Sequence, residues 1–111
     1  MKYALLIYSS PEARDVPEDR LKSVIREYDA ILDAPGVLDG MQLHGTESAT
    51  TVRVQNGEVL LSDGPFVDAK EYIGGLFLLE ADDLDAATAL AARVPAARMG
   101  GAVEIRPIVE R

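Results

Sequence analysis

The sequence predicts an α+β domain in which two amphipathic helices cover one face of an antiparallel sheet. Three observations lead there. Short apolar runs near the start and in the second half and an alternating one near the end read as strands, and two intervening segments follow helical spacing. An Asn-Gly pair also sits between two short β-branched runs, a hairpin signature. These features fit in 111 residues of 48% hydrophobic content, enough for a single core and one domain over residues 1–111.

Residues 3–8 predict the first strand, with Tyr3, Leu5 and Ile7 on one face and Ala4, Leu6 and Tyr8 on the other. A loop over residues 9–16 follows, carrying turn signals at Ser10-Pro11 and Val16-Pro17. Pro17 suits the first turn of a helix. Leu21, Val24, Ile25, Tyr28, Ile31 and Leu32 then recur on one helical side until Pro35-Gly36 stops the helix. Residues 37–45 predict a second strand. Residues 51–55 and 58–62 flank Asn56-Gly57 in a register that sets Val54 opposite Val59 and Val52 opposite Leu61. With Arg53 and Leu60 on the other side, this hairpin is expected to be half buried.

Residues 73–80 predict a central strand that is apolar on both faces, Leu76 and Leu78 against Phe77 and Leu79. Asp82 reads as a helix N-cap, with Asp85 three residues on in a capping-box-like arrangement. Leu84, Ala87, Leu90, Ala91 and Val94 form the buried stripe of that helix, and Pro95 ends it. After Gly100-Gly101, residues 103–108 make the last strand. The order β-α-β, hairpin, β-α-β is that of a ferredoxin-like βαββαβ sandwich with an inserted β-hairpin. A sheet with helices on one side leaves its other side bare, yet two of these strands are apolar on both faces. That surface predicts a homodimer packed sheet against sheet, the alternative being a hairpin folded back over its own sheet.

Composition narrows the function classes. A net charge of −8 with 11 scattered basic residues excludes a phosphate-binding surface, so no nucleic acid partner is expected. The absence of cysteine removes disulfide, thiolate and Cys-based metal chemistry. No apolar run approaches the roughly 20 residues of a membrane span. The apolar start, Met1 to Tyr8, lacks a small-residue cleavage site and reads as a strand, which makes a cytoplasmic location the expectation. One histidine, dispersed carboxylates and the lack of a P-loop or dinucleotide fingerprint give no reason to expect a metal or a cofactor.

The densest group of candidate functional residues is Asp63-Gly64-Pro65-Phe66, followed by Lys70-Glu71 and Gly74-Gly75, between two strands. Stiff loops on a strand scaffold are where binding groups tend to be displayed. Asp63 beside Phe66 is a candidate acid or base, since partial burial there would raise its pKa; it equally suits an Asx-turn. His44 could pair with Asp63 or simply be solvated at its strand end. Lys70 and Glu71 could orient a substrate or form a solvated ion pair. Gly74 and Gly75 permit either a bulge or close ligand approach. Phe66 and Tyr8 could wall a cleft. Tyr28, on the apolar helical stripe, reads as core. Arg53, Arg98 and Arg106 could clamp an anion, although Arg106 alternates with Glu104 and suits a cross-strand pair.

The stretches Met1-Lys2-Tyr3-Ala4-Leu5-Leu6-Ile7-Tyr8, Thr51-Val52-Arg53-Val54, Ser62-Asp63-Gly64-Pro65-Phe66, Lys70-Glu71, Gly74-Gly75, Glu80-Ala81-Asp82-Asp83-Leu84 and Val103-Glu104-Ile105-Arg106-Pro107 together resemble the YCII-related family, in its DGPF-domain branch. The resemblance covers nearly the whole chain and implies a dimeric α+β barrel built on ferredoxin-like halves. It also implies an enzyme with a His–Asp pair whose His lies on the first helix, whereas the helix over residues 17–32 here has no His. Members of the DGPF branch are associated with extracytoplasmic-function sigma factors, which implies an accessory or regulatory role. Three expectations follow. The domain binds a small organic ligand near the Asp63–Phe66 loop, with Asp63 in acid–base chemistry; or it is a non-catalytic regulatory module; or, by fold analogy, it is a cofactor-free oxygenase.

Overall fold

The structure is a computed structural model that describes residues 1–10 and 16–111. The turn expected at Ser10-Pro11 lies partly outside the described residues. Strand β1 (Lys2–Ser9) is followed by helix α1 (Glu18–Leu32), β2 (Val37–Gln42), a hairpin of β3 (Thr50–Gln55) and β4 (Glu58–Asp63), β5 (Tyr72–Glu80), α2 (Leu84–Ala91) and β6 (Ala102–Pro107). The strands of the main sheet run antiparallel in the order β2-β5-β1-β6, with the two doubly apolar strands at the centre. That is the ferredoxin-like α+β order expected from the sequence, and the hairpin forms a separate two-stranded sheet.

The core lies on one side of the main sheet. Tyr3, Leu5 and Ile7 of β1 and Phe77 and Leu79 of β5 meet Ile31 of α1 and Ala87, Leu90 and Ala91 of α2 in one buried cluster. Alternation places Ala4, Leu6, Leu76 and Leu78 on the opposite face, where they are only partly buried. Among the described residues no layer covers that face, and the chain is 18 Å thick along its shortest axis, as two layers require.

Several elements differ in detail from their sequence-based expectation. Pro17 is the residue before α1, at φ −55° and ψ 145°, rather than inside its first turn. Of the apolar stripe on α1 only Ile31 is fully buried; Leu21, Ile25 and Leu32 are 44%, 50% and 43% exposed. The helix is anchored at its C-terminal end, where Tyr28 stacks on Phe77 with ring centroids 6.3 Å apart, and its N-terminal turns stand off the sheet. Strand β2 ends at Gln42, three residues early, because the chain leaves the sheet after the Leu43 N–H bonds the Gly74 carbonyl at 2.9 Å.

The cap of α2 is Asp83, not Asp82: its carboxylate accepts the Ala86 N–H at 2.8 Å. Leu84 is 54% exposed, outside the stripe assigned to it, while Ala87, Leu90, Ala91 and Val94 are buried as expected. Pro95 does more than end a helix, since it opens a short 3₁₀ turn, Pro95–Arg98. The hairpin keeps the expected register, Val52 opposite Leu61 and Val54 opposite Val59, around Asn56 (φ 52°) and Gly57 (φ 79°). It is not half buried, however. Both its faces are exposed, because among the described residues β3 and β4 pack broadly only on each other. The hairpin therefore does not fold back over its own sheet. Arg106 pairs with Glu104 along the same strand at 3.0 Å rather than across strands. Among the described residues no helix is long and apolar enough to cross a membrane.

Candidate functional site

The hairpin leaves and rejoins the sheet at one end of the bare face, and a cavity of about 580 Å³ forms there. Its floor is Tyr8 and Ile73, paired across β1 and β5, beside Leu43 just past β2. The turn after β2 supplies His44 and Gly45. A 3₁₀ turn, Thr46–Ser48, contributes Thr46 and Ser48, and Ala49 follows it. The loop after β4 closes the other side with Pro65, Val67, Ala69 and Glu71. Two backbone bonds hold this arrangement, Ser48 N–H to the Gly45 carbonyl at 3.0 Å and Gly64 N–H to the Ala49 carbonyl at 2.8 Å. The Thr51 hydroxyl adds a third by donating to the Gly64 carbonyl at 2.8 Å. These bonds tie the Asp63–Phe66 loop to the segment carrying His44.

The structure separates the candidate residues into two groups. His44, Glu71 and Tyr8 share the walls of this cavity. Asp63, Phe66 and Lys70 do not line it. Asp63 ends β4 opposite Thr50 and is exposed, so the burial expected beside Phe66 is absent. Nor does its carboxylate form an Asx-turn: among the described residues it accepts no hydrogen bond. Phe66 is 69% exposed and lies under the Arg53 guanidinium, whose central carbon is 5.4 Å from the ring centroid. The turn depends on Gly64, at φ 102°, a conformation that L side chains rarely adopt.

Gly74 is the extra residue of a bulge, since Ile7 pairs with Gly75 and Tyr8 with Ile73. A Cβ on Gly75 would stand 2.7 Å from the Met41 carbonyl oxygen, so this glycine serves strand-to-strand approach. Arg53, Arg98 and Arg106 form no clamp. The first covers Phe66, the second pairs with Glu27 of α1, and the third with Glu104.

Sequence reasoning missed a second cavity. Because α1 stands off the sheet, a cleft of about 350 Å³ opens between Leu21, Val24 and Ile25 and a floor that includes Ile7, Phe77, Gly74 and Gly75. Helical periodicity signals which side of α1 faces the sheet but not how closely it approaches.

Chemically, the first cavity offers apolar walls with an imidazole, a carboxylate and a phenol. Such a site suits a small, largely apolar molecule bearing one polar group. Among the described residues no group of three or more His, Asp or Glu side chains is arranged to hold a metal ion.

Comparison with known proteins agrees with the fold. The family model described as the YCII-related domain matches residues 1–111. An uncharacterised protein of Rhizobium meliloti (strain 1021) is 29% identical over 114 residues, which cover 97% of this chain and 92% of that protein.

Proposed function

As this chain belongs to the YCII-related domain family, we propose that it is a homodimeric domain that binds a small neutral or cationic organic molecule in the cavity bounded by His44, Glu71 and Tyr8. One observation carries the reading: three residues singled out for their chemistry, from three separate segments, line one mostly apolar cavity at the edge of the Asp-Gly-Pro-Phe loop. The net charge of −8 and the carboxylate of Glu71 favour a neutral or cationic ligand over an anion. Proton transfer in this cavity falls to His44 and Glu71, because Asp63 lies off its walls. The dimer half of the proposal is supported by the bare apolar face of β1 and β5, on which this cavity opens at Tyr8 and Ile73.

The test is heteronuclear NMR of the ¹⁵N-labelled protein titrated with neutral and amine-bearing aromatic fragments up to millimolar concentration. Shift changes clustered at residues 43–49 and 65–73, and lost in His44→Ala, are expected. Changes confined to residues 21–32 would move the site to the α1 cleft and overturn this reading, as would no change at all.

A further inference from the structure

We propose that the β3–β4 hairpin is a docking arm that lies against a second copy of this chain, on the β2 margin of that copy's open sheet face. The inference rests on the dimer reading and extends it to a specific contact. Val52, Val54, Val59 and Leu61 form one side of the ribbon and are 59%, 65%, 65% and 68% exposed. Alternation adds Thr50 and Asp63 to that side at the base of the ribbon, so its outer half is uncharged. A lone two-stranded ribbon is marginally stable in water, and this one has no covering layer among the described residues.

The matching surface is on the same chain, but among the described residues the arm makes no broad contact with it. The centre of the open sheet face, Ala4, Leu6, Leu76 and Leu78, is uncharged. Its two margins differ. On β6 the margin carries the exposed Glu104–Arg106 ion pair, whereas on β2 it carries one exposed carboxylate, Asp39 opposite Leu78, and beyond it continues with Met41 and Leu43, each 45% exposed. An apolar arm fits the second margin and would leave the ion pair of the first partly dehydrated. Between molecules of charge −8, uncharged patches are also where two copies approach without repulsion.

Number and area both select a second copy as the occupant. Every chain has one bare ribbon and one bare sheet face, so a two-fold pair satisfies each of them twice over. Four strands about 4.8 Å apart and about 20 Å long present roughly 380 Å² in projection. That is about half of the roughly 800 Å² per partner in a standard interface. The ribbon adds roughly 200 Å² more, and side-chain relief brings the sum toward the required size. Sheet against sheet alone reaches about half the standard size, and sheet plus arm comes to roughly 580 Å², close to its lower end.

The lack of cysteine allows a direct test. Val54→Cys, labelled with a benzophenone maleimide, is mixed with an equal amount of unlabelled, isotopically heavy wild-type chain and irradiated. Cross-links from residue 54 into residues 37–45 of the heavy chain are expected. Cross-links confined to the light chain itself, or directed to β6, overturn the arm, as does their absence from a sample that sediments as a dimer. In parallel, Val54→Asp combined with Leu61→Asp should raise the dimer dissociation constant at least about tenfold while the far-UV circular dichroism is retained. An unchanged constant would overturn the arm, whatever else holds the dimer. Wild-type chains that sediment singly at micromolar concentration would remove both.

Discussion

Gly64 sits at φ 102° with nothing within 4 Å of where a Cβ would be, so a side chain there meets backbone strain and no clash. Gly64→Ala should therefore cost about 1–3 kcal/mol, read as a lower urea midpoint at unchanged slope. The neighbouring Asp63 is exposed and accepts no hydrogen bond among the described residues. Asp63→Asn should shift stability by no more than about 0.5 kcal/mol and leave fragment binding unaltered, whereas His44→Ala should weaken binding. Equal losses from both would return Asp63 to the site. In the core, burial pushes the Tyr28 hydroxyl pKa up from 10.0, opposed by smaller effects of the Ala96 backbone hydrogen bond and Arg98. The folded chain thus holds this proton more tightly than the unfolded chain does. The resulting stability is complete below the ordinary tyrosine range and is lost as pH rises through it toward the folded value. Urea midpoints measured from about pH 8 to about pH 11 should fall less steeply for Tyr28→Phe than for the wild type.

Helix α1 illustrates how an element can have the right pattern and yet be held at one end. Ile31 is 1% exposed and Ile25 is 50% exposed, although both belong to the same stripe. Ile31→Ala should cost about 2–5 kcal/mol, while Ile25→Ala should cost well under half of that by chemical denaturation. Similar losses at both positions would mean that α1 closes on the sheet in solution. At the start of α2 the capping bond comes from Asp83, so Asp83→Ala should cost about 1 kcal/mol and Asp82→Ala should stay within about 0.5 kcal/mol. Two adjacent aspartates made this one-residue choice illegible in the sequence. Either can cap, and the choice follows from where β5 releases the chain.

At the scale of the whole molecule, the bare face of the main sheet is the dominant feature. Leu78→Glu adds a charge to that face in an already acidic protein and should shift sedimentation from two chains to one, with the fold retained by circular dichroism. A wild type that is already monomeric would show that the face tolerates water. Strand alternation, helical spacing and the Asn-Gly turn were legible without coordinates, and with them the βαββαβ order, the hairpin register and the identity of the central strands. Each of these follows from periods of two or 3.6 residues and from turn chemistry, which act over a few neighbouring positions. Tertiary structure alone decided that His44 and Glu71 share a cavity without Asp63, that α1 stands away from its floor, and that among the described residues the hairpin makes no broad contact with another element. Those outcomes depend on the path of the chain between β2 and β5 and on how closely layers approach, and neither leaves a periodic trace among the residues.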